Sequence, residues 1–194
     1  MGFEIRDEDE FNDMFIEGTT IEELNAYYVV FRNTTLKQVN FFDVTLEKLM
    51  LSHVTFINCD LSNINLEEAS IHDCTFINCR LMGSHIIEAS IRNVSFENCQ
   101  CDYMVLGGSH LKDVTFKTCS MQQAGLSQCK WDKVILEECN LKEVELMGTN
   151  IKGVDLSTCN IEGIKVKLEE VCGVTISLMQ SIEFSKMLGL KIKQ

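Results

Sequence analysis

The chain has 194 residues, 45% of them hydrophobic and 24% charged, and carries a formal net charge of −12. That length and apolar content specify one folded domain with a continuous core, while the acidic balance argues against direct nucleic-acid binding, which needs Lys and Arg against phosphate. Proline is absent, no apolar run is long enough for a membrane helix, and ten cysteines without an export signal read as reduced thiols, so the expected location is the cytoplasm.

In chain order, residues 1–13 come first. They carry a net charge of −5 and include the run Glu8-Asp9-Glu10-Phe11. They read as an acidic N-terminal segment that either caps the start of the adjoining repeats or stays solvated, and the solvated tail is the expectation.

Residues 14–168 repeat every five residues. Every fifth position from Ile16 to Val166 is apolar, 31 positions without exception, which at a 45% background has a chance on the order of 10⁻¹¹. A second, smaller inward position lies two residues before each of these centres, among them Val39, Val54, Cys59, Cys79, Cys99, Val114 and Val134. An α-helix scatters such a pattern, because five residues advance it by about 140°. Residues two apart share a face of extended chain, so each pentad supplies one short extended side, followed by a corner. The corner belongs two residues after the centre, where 15 of 31 occupants are Asn, Gly or Asp. Four sides close a square lap of twenty residues, and residues twenty apart then stack about 4.8 Å above one another. Phe56, Phe76, Phe96 and Phe116 form one column, while Cys59, Cys79, Cys99, Cys119, Cys139 and Cys159 form another, read as small core side chains without metal, cofactor or disulfide.

At Val166 the register is read as ending, and residues 169–194 form a C-terminal helix and tail. Ser177 and Gln180 make a capping box, Gly189 a C-terminal cap, and the helix is expected over 178–188. Leu178, Ile182, Met187, Leu188, Leu190 and Ile192 are the candidate dimerisation residues, through a helix that also covers the last lap.

The pentads VTFIN, CDLSN, CTFIN and VDLST resemble the pentapeptide-repeat family across residues 16–166. The resemblance implies an all-β fold, a right-handed quadrilateral β-helix; 31 pentads correspond to about 7.75 coils of it. Gly173-Val174, Ile176, Gln180 and Leu188-Gly189-Leu190 are similar in order and spacing to the tail of the Qnr-type quinolone-resistance branch. That second resemblance implies an end-to-end homodimer and imitation of DNA on type II topoisomerases, DNA gyrase or topoisomerase IV, with protection against fluoroquinolones. The uninterrupted register leaves no room for the two projecting loops many members of that branch carry.

Charge sorted by wall gives the candidate docking face. The wall that begins TTIEE and continues through VNFFD, CDLSN and CQCDY sums to −5, and the wall of VVFRN, ASIRN, CKWDK and TNIKG to +3. Outward carboxylates on the acidic wall are Glu22, Glu23, Asp43, Asp60, Asp102, Glu143 and Glu162, a candidate set of false phosphates. A filled rod offers no concave site, and His53, His72, His85 and His110 all fall at outward positions, so no enzyme, metal or membrane contact is expected. The alternative reading is a structural rod for another protein partner, including immunity to a topoisomerase-targeting peptide toxin.

Overall fold

In the computed structural model, which describes residues 4–191, every fifth residue from Glu8 to Gly153 has positive φ, so the chain turns a corner where the pentad pattern puts one. Between corners run β1 (Glu10–Asn12), β2 (Phe15–Glu17), β3 (Thr20–Tyr27), β4 (Val30–Arg32), β5 (Thr35–Lys37), β6 (Asn40–Glu47), β7 (Met50–Ser52) and β8 (Thr55–Ile57). They are followed by β9 (Ser70–Ile77), β10 (Ser90–Glu97), β11 (His110–Lys117) and β12 (Lys130–Glu137). All pairings are parallel with a register of twenty residues, as in Ile71↔Ile91 and Leu111↔Trp131. Strands β1-β4-β7-β9-β10-β11-β12 stack along one side, β2-β5-β8 join the same sheet at β9, and β3-β6 form a separate pair. We number the walls by their central residues: the first holds Phe31 and Ile71, the second Phe56 and Phe76, the third Phe41 and Leu61, the fourth Leu46 and Leu66.

The core is the inside of the square. Of the 31 central residues, all but Trp131 are buried, and so are the smaller partners from Val29 through Thr149 that sit beside them. Phe56, Phe76, Phe96 and Phe116 stack with ring centroids 4.7, 4.7 and 4.6 Å apart and nearly parallel planes. The thiols sit in a second inner column. Cys99 Sγ donates to the Phe76 carbonyl at 3.4 Å and Cys119 Sγ to the Phe96 carbonyl at 3.3 Å, the bond that the Ser109 hydroxyl makes to Ile86 at 2.8 Å. The void among Phe31, Leu36, Phe56 and Phe76 holds only ≈ 10 Å³, so the shaft is filled.

Two corner types alternate. The first and second walls run as continuous eight-residue strands from β9 to β12. From residue 60 onward the third and fourth walls close each pentad with a tight turn, such as Ser84 N–H to the Leu81 carbonyl at 3.2 Å and Ser109 N–H to Leu106 at 3.1 Å, and pair through single bridges such as Asp60↔Arg80.

Three expectations are corrected at the ends. The acidic N-terminal segment is not a solvated tail: β1 pairs with β4, Phe11 stacks on Phe31 at 4.8 Å, Ile5 is buried, and Asp7 accepts the Tyr27 N–H. An open first lap exposes unpaired edges, and the acidic residues carry the backbone that covers them. At the other end the register continues past Val166. Val171 and Ile176 hold the next centres against the core, and Asp155 bridges Thr175. The strand-paired part of the shaft, from β1 to β12, makes about six turns, and above it the third and fourth walls continue in single bridges such as Asn140↔Asn160 and Glu145↔Lys165.

The C-terminal helix α1 spans Ser181–Met187, shorter than expected. The capping box forms, Ser177 N–H to Gln180 Oε1 at 2.7 Å and Gln180 N–H to Ser177 Oγ at 3.4 Å, but the first turn is wound tighter, with Ile182 N–H bonded to Met179. Gly189, at φ +73°, closes the helix as expected. No helix among the described residues is long and apolar enough to cross a membrane.

Candidate functional site

The twenty-residue register puts Glu22, Glu23, Asp43, Asp60, Asp102, Glu143 and Glu162 on the third wall and its following corner, but in three columns. Glu22, Asp102 and Glu162 follow a centre, Asp60 precedes one, and Glu23, Asp43 and Glu143 hold corners, each with positive φ. Their surroundings divide them further. Glu22, Glu23 and Asp43 are exposed and make no ion pair among the described residues. Asp60 lies 3.7 Å from the Arg80 guanidinium and Glu162 3.0 Å from the Lys142 ammonium, and the Glu162 contact holds Lys142 above the ordinary lysine range. Asp102 turns along the wall to accept the Ser120 hydroxyl at 2.6 Å and the Gln122 N–H at 2.7 Å, and Glu143 accepts Gln123 Nε2 at 3.0 Å. Between these residues the wall is neutral, occupied by Met82, Gly83, Gln100 and Tyr103. The acidic set is therefore a free group at the N-terminal laps and a partly neutralised group farther along.

Folding the first segment onto the shaft brings more carboxylates to this end, of which Glu4, Glu10 and Glu17 are ion-paired with Arg6, Arg32 and Lys37. Residues 4–23 carry nine carboxylates and one arginine, Arg6. Exposed aromatic rings lie among them, Phe15 at 62% and Phe42 at 66% exposure, with Tyr28 beneath the Lys48 ammonium, 5.2 Å from ring centroid to Nζ. The N-terminal reading missed this patch because the alternation that makes β1 spans three residues, too few for a periodicity to stand out.

A polar groove of ≈ 390 Å³ runs along the corner between the second and third walls, lined by the stacked Asn58, Asn78 and Asn98 with Asp60 and Arg80 opposite. Cys59 and Cys79 underlie it but are buried. All ten cysteines are free thiols and Cys172 alone is exposed. Burial pushes the Cys74 thiol to about 12 and the Cys129 thiol to about 11, which keeps them neutral and inert. No group of three His, Cys, Asp or Glu among the described residues is arranged to hold a metal ion.

At the C-terminal end, Leu178, Leu188 and Leu190 are exposed at 87, 60 and 57%. Ile182 is half-buried, and Met187 packs with Phe184 against the core and so faces inward; Ile192 lies outside the described residues. Met179, 73% exposed, joins the apolar surface and was not among the candidates. Gln180 serves more than the capping box. Its Nε2 donates at 2.7 Å to the carbonyls of both Leu156 and Cys159, closing the last lap's open backbone. The Gln180, Phe184, Met187 spacing of a helical face was the signal available for this docking.

Two family models match the chain: the pentapeptide repeat region over residues 49–126 and pentapeptide repeats, in eight copies, over 132–163. Together they span more than half of it. The chain belongs to the pentapeptide-repeat family. No curated protein matches its sequence. Among solved structures, a trypsin-treated variant of QnrB1, a plasmid-mediated fluoroquinolone resistance protein, aligns at 14% identity over 95% of this chain and 100% of its own, with a TM-score of 0.48. HetL, involved in heterocyst differentiation regulation in the cyanobacterium Nostoc, aligns at 18% identity over 88% of this chain and 86% of its own, with a TM-score of 0.45. A pentapeptide repeat protein from the thylakoid lumen of Arabidopsis thaliana aligns at 14% identity over 69% of this chain and 86% of its own, with a TM-score of 0.29. These likenesses concern the repeat fold alone.

Proposed function

We propose that this pentapeptide-repeat protein is a cytoplasmic DNA mimic that docks on a type II topoisomerase, DNA gyrase or topoisomerase IV, and lowers its sensitivity to fluoroquinolones. The observation that carries the reading is the free acidic surface of the first laps, including Glu22, Glu23 and Asp43, fixed to a stiff stack at strand spacing. Carboxylates held in this way attract a basic DNA-binding channel over a distance, so association is fast at low ionic strength and weakens with salt. The tail motif from Gly173 to Leu190 supports the same branch. Its exposed Leu178, Met179, Leu188 and Leu190, with the half-buried Ile182, are the surface we assign to a homodimer, with Met187 supporting them from within. The reading includes no catalysis and no cofactor.

The test is supercoiling by purified gyrase, with and without ciprofloxacin, in the presence of micromolar protein. A shift in activity or drug inhibition is expected, and the absence of both removes the proposal. A second reading, a rod for another protein partner, is favoured by one observation: Phe15 and Phe42 expose rings among the acidic residues, where a polyanion mimic needs none. A pull-down recovering a non-topoisomerase partner that is lost with Phe42→Ala favours that reading.

A further inference from the structure

Among the described residues, the ladder that holds the laps together is interrupted above β12. On the first and second walls β12 pairs with β11 along seven registered residues. Among the described residues, no backbone hydrogen bond joins β12 to residues 150–157, the lap above, and no bridge pairs Lys130 with Asn150 or Ile135 with Asp155. On the third and fourth walls the same two laps are fully joined: Asn160 N–H to Cys139, Leu141 N–H to Asn160, Glu143 N–H to Glu162, Lys165 N–H to Val144 and Leu146 N–H to Lys165, at 2.7–2.9 Å. Across the unpaired walls side chains reach over instead: the Thr149 and Thr158 hydroxyls accept the Cys129 and Glu138 N–H at 2.9 and 3.1 Å, and Cys159 Sγ donates to the Leu136 carbonyl at 3.5 Å.

The lap above the interruption is coherent in itself. Gly153 N–H bonds to Gly173, Thr175 N–H to Val154 and Leu156 N–H to Thr175, and Gln180 ties α1 to the same lap. Two features mark the cause. Corners change there from the continuous strand of β12 to tight turns, Val154 N–H to Ile151 at 3.0 Å and Cys159 N–H to Leu156 at 2.9 Å. That change alone is tolerated between β6 and the lap at residue 60, where Phe41 and Leu46 keep their bonds to Asp60 and Asn65. What differs is Trp131, the single tryptophan, standing between Leu111 and Ile151 in its column. It is the one central residue not fully buried, and its indole Nε1 is buried without a partner among the described residues. A groove of ≈ 310 Å³ opens between Ile135 and Asp155.

We propose that this seam is a built-in joint: residues 149–191 swing open from the shaft as one unit, with the bonded third and fourth walls as the hinge side and Trp131 as the wedge. Whatever the C-terminal helix docks against is thereby held at a variable angle to the shaft.

Amide hydrogen exchange on the full chain tests it, because a joint and ordinary end-fraying predict opposite orders. Opening at the joint breaks the Cys129 and Glu138 N–H bonds to Thr149 and Thr158 while sparing the hinge side and the bonds inside the last lap, so these two amides exchange at least about tenfold faster than Leu156 and Thr175. Fraying from the C-terminus exposes Leu156 and Thr175 first, and that order overturns the proposal. In a Cys172→Ser background, an Ile135→Cys and Asp155→Cys pair oxidised across the seam slows the Cys129 and Glu138 amides by a similar factor. Exchange unaffected by the closed disulfide likewise overturns it.

Discussion

From β9 to β12 the first and second walls are bonded along seven residue pairs per lap, and one lap farther on the same walls carry none among the described residues. Both regions obey the same pentad, with Ile151 and Leu156 as buried as Leu111 and Phe116. The five-residue period therefore decides which side chains point inward, while the ladder depends on corner type and on the size of the central residue. The ladder holds over the stacked Phe column of the second wall and the aliphatic column of the first, and it stops where the lone indole of Trp131 enters the first-wall column.

Substitutions on either side of the seam probe that contrast. The largest effect is expected for Phe96→Ala, in the middle of the stacked column, where a cavity between two rings costs about 3–5 kcal/mol in urea unfolding. Gln180→Ala leaves the Cys159 carbonyl without its donor and the Leu156 carbonyl with the Cys159 N–H alone, and costs about 1–3 kcal/mol, felt by the last lap before the shaft, so the transition loses its single-step form. Gly153→Ala meets no atom within 4 Å, so only the φ of +83° resists it, about 1–2 kcal/mol. A cost well above that places a tighter contact at the seam than the structure has. Smallest is the surface: Glu22→Lys, Glu23→Lys and Asp43→Lys together are expected to leave thermal stability within about 0.5 kcal/mol per site, since none is in an ion pair among the described residues. Thiol titration completes the series. One thiol per chain, Cys172, reacts promptly with Ellman's reagent in the native state and all ten react after unfolding, whereas prompt reaction of a ladder thiol shows that the shaft is not closed.

The shaft was legible in the sequence because one constraint repeats along it. Every centre had to be apolar and every corner had to reach positive φ, and residues such as Asn58, Asn78 and Gly83 announce both. The ends were not, because each is built from one or two laps. Arg6 stands where a centre would, which hid the strand at Phe11, and the acidic run Glu8–Glu10 suited solvent as well as an edge. Val171 and Ile176 keep the period, but the 3-10 turn at Leu168–Val171 interrupts the pentad's corner residues and masks it. Of the candidate site, the wall assignment followed from the period, but the partners of Asp60, Asp102 and Glu162 did not, because pairing along a column depends on rotamers that spacing leaves open. The helix residues divided for a related reason: a seven-residue helix has one inward face, and Met187 falls on it while Leu188 does not.

DNA mimicry by the acidic laps is put to the sharpest trial by competition between this protein and duplex DNA for purified gyrase, measured at low and moderate salt with the native chain and the Glu22→Lys, Glu23→Lys, Asp43→Lys variant. The native chain is expected to displace DNA, displacement is expected to weaken as salt rises, and the folded variant is expected to lose at least about tenfold in potency. DNA binding undisturbed by the native chain, or displaced equally well by the variant, refutes the mimicry.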